Sequence, residues 1–131
     1  MRRIICAIAL CSALSASAFA QAARPTGEAK YGNAPADAVL SYNLLGLKLT
    51  NGGNENVGEI KDLVIEKGEL VGYVLSVGGF LGMGTHYVDV TPASVSINYD
   101  ANKKSWNGFI NSTKDQLKAA PEFKYEGKFD H

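Results

Sequence analysis

The chain is poor in reactive side chains. Its 131 residues hold two cysteines, two histidines, two methionines and one tryptophan. Both cysteines, Cys6 and Cys11, fall within the first twenty residues, a stretch that reads as a removable leader. The rest of the chain has no thiol, which excludes disulfides and thiol chemistry and leaves packing as the source of stability. His86 and His131 assemble no Ser-His-Asp or Cys-His set, so the usual nucleophilic enzymes are excluded. No later segment approaches the run of about eighteen apolar residues that a membrane helix needs. Positive charge is not clustered: Lys103-Lys104 is the longest basic stretch after the leader, which excludes nucleic acid as a partner.

The leader itself has the three parts of a secretory signal. Arg2 and Arg3 are the basic start, Ile4 to Leu14 the apolar middle, and Ala18-Phe19-Ala20 a small-residue cleavage site. Cleavage is expected after Ala20, giving residues 1–20 as signal peptide and a periplasmic protein. The surroundings of Arg2-Arg3 fit a twin-arginine signal poorly. Leu10 before Cys11 is too bulky for a lipid-attachment site. Loss of the leader leaves 111 residues with 11 basic against 13 acidic side chains, enough for one domain. Residues 21–38, rich in Ala, Gly and Pro, read as a flexible tether.

The domain is expected over 39–123. Leu45 to Thr50 alternates as a strand does, and Asn51-Gly52-Gly53-Asn54 is a turn. Val57 to Glu66 is a second strand, but Ile60, Leu63 and Ile65 cannot share one face at period two. A bulge near Lys61-Asp62 reconciles them. After the Lys67-Gly68 turn, Leu70 to Val77 places Val71, Tyr73, Leu75 and Val77 on one face and Leu70, Gly72 and Val74 on the other. Apolar residues on both faces require a cover on both, either the C-terminal segment or a second subunit. His86–Val90, the alternating segment with Val95, Ile97 and Tyr99, and Ser105–Ile110 complete six strands. Thr113-x-x-Gln116 has capping-box form and starts a short helix that Pro121 stops. Phe123 and Tyr125 share one side of an extended segment and are placed to pack over the barrel. Residues 124–131 are expected to fray. The pattern predicts an all-β fold, a small six-stranded antiparallel barrel with a short C-terminal helix.

The ordered set Leu44-Leu45-Gly46, Val57 to Ile65, Gly72 to Gly84 and Tyr87-Val88-Asp89-Val90 resembles the PRC-barrel family, named after the cytoplasmic domain of the photosynthetic reaction-centre H subunit. The likeness covers about Ser41 to Tyr99. Thr113 to Leu117 with Ala120 to Phe123 looks like the C-terminus of exported bacterial members. The resemblance implies a barrel used as an assembly or binding module and carries over no catalytic residue. Neither ribosomes nor a reaction centre is implied as partner, since an exported chain meets neither.

Candidate sites are few. The crossover with Gly78, Gly79, Gly82 and Gly84 lacks the lysine of a phosphate loop, because Thr85 stands there and a strand comes next. Its glycines read as structural. Either Phe80 or Leu81 plugs a barrel end, or Phe80, Leu81 and Met83 form an apolar tip that docks a protein partner or a second copy. His86 and Asp89 point to opposite faces of a strand, so no metal site is expected. Asp100-x-Asn102 is a hairpin turn without the later ligands of a calcium loop. Glu59 and Asp62 are a carboxylate pair for acid–base work or, on the structural reading, a solvated Glu59 and a bulge carboxylate Asp62. Asn111-Ser112-Thr113 matches a glycosylation pattern and reads as the helix cap. The resulting expectation is a non-enzymatic periplasmic interaction module without cofactor, its partner unidentified and a homodimer one form of it. The alternative is a small-ligand-binding barrel.

Overall fold

The computed structural model describes residues 23–78 and 84–130. Residues 1–20, expected to be a signal peptide, and the cleavage expected after Ala20 lie outside them. The chain divides into two units, Met1–Ala34 and Pro35–His131. Within the first, residues 23–34 form no helix or strand and are exposed throughout. The second opens with a turn in which the Ala38 N–H donates to the Pro35 carbonyl at 3.0 Å.

A single turn of helix, α1 (Ser41–Leu44), leads into six strands: β1 (Lys48–Thr50), β2 (Asn56–Glu66), β3 (Glu69–Val77), β4 (His86–Val90), β5 (Val95–Asp100) and β6 (Ser105–Ile110). A 3₁₀ turn, Pro92–Ser94, joins β4 to β5. Helix α2 (Lys114–Ala119) and a 3₁₀ turn at Gly127–Phe129 close the chain. The turns obey local chemistry. Lys67 and Gly68 both have positive φ, 50° and 82°, and join Glu66 to Glu69 as a two-residue hairpin whose twist suits the flanking strands. The Asn51 carboxamide oxygen accepts from the Gly53 and Glu55 N–H groups at 3.0 and 3.1 Å. In α2 the Thr113 hydroxyl accepts from the Gln116 N–H at 3.1 Å, and the Gln116 side chain accepts from the Thr113 N–H at 2.9 Å. That is the reciprocal capping box.

Two expectations about the sheet are overturned. The strand order is β4-β3-β2-β1-β6-β5, and β1 pairs with β6 in parallel while the other neighbours are antiparallel. The sheet is therefore mixed. It is also not closed: among the described residues β4 and β5 are its two edges and do not pair with each other. Direction explains the first result. The chain reverses between β1 and β2, β2 and β3, β3 and β4, and β5 and β6. The Pro92–Ser94 link carries it from one edge to the other without reversing, so four reversals return β6 to the direction of β1. Length explains the curl. Val90 and Val95 are five residues apart and reach about 17 Å at most, whereas six strands in a flat row put the outer two about 24 Å apart. The sheet must roll toward closure, yet the 3₁₀ link takes the place of a sixth ladder.

Rolling creates one core. Leu49, Val57, Ile60, Leu75 and Val77 are fully buried there, with Leu44, Tyr73, Val88, Val95, Ile110 and Leu117 around them. The core is filled by its own side chains, as a six-stranded barrel interior should be. Gly108 belongs to this packing: a Cβ there would collide with the Leu49 side chain and lie 3.3 Å from the Lys48 carbonyl. Leu117 brings α2 onto the core face.

Candidate functional site

β2 and β3 present their second face away from this core. Val74, Asp62 and Asp89 share it, because Val74 is paired with Asp62 on β2 and with Asp89 on β4. β2 shifts register between Ile60 and Asp62, leaving Lys61 as the extra residue. This shift keeps Ile60 in the core while turning Asp62 outward.

The cover of this face comes from the C-terminus. Leaving α2 on the core face, the chain passes the β4 edge. There the His86 imidazole Nε2 donates to the Ala120 carbonyl at 2.9 Å, and the Phe123 N–H donates to the Tyr87 carbonyl at 2.7 Å. It then crosses to the outer face as an aromatic strap. Tyr125 meets Tyr87 edge-on at 5.3 Å between centroids and Phe123 at 5.1 Å; Phe123 meets Phe129 at 5.9 Å. Residues 124–130, expected from the sequence to fray, carry two of these rings. Val74 is sealed beneath the strap, 1% exposed.

A groove runs between β2 and the strap. Asp62, Leu63, Val64, Ile65, Phe123 and Phe129 line one stretch of it, a cavity of about 340 Å³. Leu45 and Lys61 join Asp62, Tyr125 and Phe129 around a second of about 340 Å³. At its centre the Asp62 Oδ1 accepts from the Leu63 N–H at 2.8 Å, and the Tyr125 hydroxyl donates to Asp62 Oδ2 at 3.3 Å. The Tyr125 hydroxyl is pushed up to about 12, first by burial, then by the charge and hydrogen bond of Asp62, and by Tyr87. Burial also raises the Asp89 carboxyl above its ordinary value. Its oxygen lies so close to Gly72 that any Cβ there would collide with it.

The residues singled out by sequence are scattered. Glu59 faces Lys48 across β1 and β2 and Ser76 across β3, and lines a separate polar cavity of about 310 Å³ with Gly78, Thr85 and Lys114. Glu59 and Asp62 thus have different neighbours. His86 is engaged with Ala120 at the core side, opposite in face to Asp89. The Asp100 carboxylate accepts from the Asn102 and Lys103 N–H groups at 3.0 and 3.2 Å, a turn. Gly78 and Gly84 both have φ of +72°. Gly79, Phe80, Leu81, Gly82 and Met83 lie outside the described residues.

Sequence reasoning missed the rim of the groove. Leu45 is set by the one-turn helix before it, and Ile65 by a second register shift, between Val64 and Ile65, where Val71 of β3 is the extra residue. The aromatic spacing 123, 125, 129 was the available signal for the strap. Among the described residues no helix is long and apolar enough to cross a membrane.

No curated protein matches the chain. The family model of the PRC-barrel domain matches residues 36–117, from the turn before α1 through all six strands into α2. The strap lies beyond that match. The rolled sheet with its long β2–β3 hairpin and the match over more than half the sequence agree: the chain belongs to the PRC-barrel domain family.

Proposed function

We propose that the chain is an exported, non-enzymatic assembly module of the periplasm that docks a partner protein on the outer face of its sheet. One observation carries the reading. Leu45, Ile65 and Phe129 stand 47%, 58% and 49% exposed around one groove. Large apolar side chains gathered about a concavity are costly in water unless a partner covers them. The groove also holds an acceptor, the Asp62 carboxylate. The partner that fits presents an apolar anchor beside a hydrogen-bond donor, a pairing typical of protein interfaces.

Membership of the PRC-barrel domain family supports an interaction role. The Arg2-Arg3 start, the apolar middle and Ala18-Phe19-Ala20 support export. The non-enzymatic reading rests on how the chemistry-bearing groups are used. His86 holds Ala120, Asp62 holds Leu63 and Tyr125, and Asp89 lies against Gly72, each apart from the others' work. The tip Phe80, Leu81 and Met83 is a second contact in this reading, and self-association through it is the homodimeric form.

The test places a photo-crosslinking side chain at Ile65, at Phe80 or at Lys103 of the β5–β6 turn in the exported protein in cells. A discrete adduct at 65, absent at 103 and lost in Phe129→Asp, is expected. An adduct of twice the chain mass identifies a second copy. No adduct at 65, or equal labelling at 65 and 103, refutes docking on the outer face. An adduct at 80 alone moves the contact to the tip.

A further inference from the structure

A second recess lies at the far end of β5 and β6, on the side of the sheet that faces the core. Here the aliphatic packing of Val95 and Ile110 gives way to aromatic rings. Tyr99 and Trp106 are cross-strand partners, their centroids 5.1 Å apart and their planes inclined at 52°. The turn at 36–38 comes in beside them. Asp37, Ile97, Tyr99 and Trp106, with Ala36 and Ala38, enclose an open notch of about 450 Å³; Asn98 also borders it, its amide donating to the Ser96 hydroxyl at 3.1 Å. Tyr99 is 52% exposed in it.

The chemistry of the lining is one-sided. Ring faces carry negative charge density, and Asp37 adds a full negative charge. No lysine or arginine lines the notch. Lys103 and Lys104 belong to the neighbouring turn and are exposed, and Asp100 is engaged by the backbone of that turn. A neutral apolar ligand would take water from Asp37 without compensating it. A small metal ion would find one carboxylate where it needs several oxygen ligands. A weakly hydrated organic cation suits both parts, with its alkyl surface on the rings and its charge beside the carboxylate.

We propose that the Asp37–Tyr99–Trp106 notch binds a small alkylammonium cation. The site is independent of the outer-face groove, and its failure would leave that groove's role unaffected.

Trp106 is the single tryptophan of the chain, so its emission reports directly on the notch. The experiment titrates the full chain with choline chloride, with sodium chloride at matched ionic strength, and with 3,3-dimethyl-1-butanol, the neutral isostere of choline. A saturable change in emission with choline alone is expected. Asp37→Asn and Tyr99→Leu should each weaken it by about two- to five-fold, the range of a cation–π or paired-charge contact at an exposed site. Asp37 lies in an exposed turn, so Asp37→Asn keeps the test valid if Tyr99→Leu fails to fold. No saturable change with choline, an equal change with sodium chloride, or equal affinity for the neutral isostere would overturn the proposal.

Discussion

β3 is buried on both faces, but its two faces are held by different means. On the core side Tyr73, Leu75 and Val77 join a cluster of buried aliphatic side chains from seven other elements, and almost no surface is left exposed. On the outer side Val74 is equally buried, yet its cover is one peripheral segment whose rings are half-exposed and whose anchors are a few hydrogen bonds. A core made of many strands gains stability from every element at once. A strap gains it from one segment, and a segment can be displaced or remodelled without unfolding what lies beneath. The core side therefore has the character of a scaffold and the outer side that of a displaceable cover.

The widest separation between the two faces should come from Leu75→Ala. Leu75 is 0% exposed at the centre of the core, and truncation there should cost about 2–5 kcal/mol, lost contacts plus a residual cavity. Urea unfolding reads this as a lower midpoint with an unchanged slope. A loss no larger than that of an outer-face substitution would end the distinction between scaffold and strap.

Gly108→Ala tests the same side by overpacking. The new methyl would press on Leu49 and on the Lys48 carbonyl. The Leu49 side chain is itself fully buried and has no free space to turn into, so about 1–3 kcal/mol of destabilisation is expected. The β1–β6 parallel pair is where this strain falls, and amide exchange should rise first at Leu49 and Thr50. Unchanged protection there would mean that the short β1 strand adjusts freely.

Phe123→Ala moves to the outer face. The ring is half-buried and contacts Tyr125 and Phe129, so its loss should cost about 1–2 kcal/mol, less than a core truncation. The expected signature is local. Amide exchange should quicken along β4 and the strap while Leu75 and Val77 keep their protection. Global loss of protection would show instead that strap and core fold as one unit.

The same contrast decides how much of the molecule was legible in the sequence. Strand existence was readable because Val57–Glu66 and Leu70–Val77 are short runs rich in apolar and β-branched residues, and Lys67-Gly68 between them has the chemistry of a tight turn. The bulge near Asp62 was readable because Ile60 and Leu63 have the wrong parity for one face. Closure and direction were not. They depend on the Pro92–Ser94 link, whose few residues give no local sign of whether the chain turns back or goes on. The strap was half-readable. Two-faced burial of β3 demanded a cover, and Phe123 and Tyr125 offered one, but nothing local fixes Phe129 against Phe123 after Gly127 turns the chain at φ +61°. The Tyr99–Trp106 notch was hidden, since it needs the cross-strand register and the return of residues 36–38 beside it.

The finest test of the strap is its one titrating anchor. The Tyr125 hydroxyl, ordinarily near 10.0, is raised to about 12 in the folded chain. A raised folded-state value means that the native state holds the proton more tightly than the unfolded one. The stabilisation is complete below pH 10, where both states are protonated, and is lost as pH rises from about 10 towards about 12. The effect should be the smallest of the four, because the ring is partly exposed and the Asp62 charge is screened by solvent. Over that interval the unfolding midpoint of the parent chain should fall more steeply than that of Tyr125→Phe, which keeps the rings but cannot ionise. Tyr73, also raised by burial, is common to both chains and cancels. Asp62→Asn removes the charge but not the burial, so the Tyr125 titration read at the phenolate absorbance should move down yet stay above its ordinary value. Parallel slopes for parent and Tyr125→Phe would show that packing alone holds the strap on β2 and that the hydroxyl–carboxylate contact adds nothing to it.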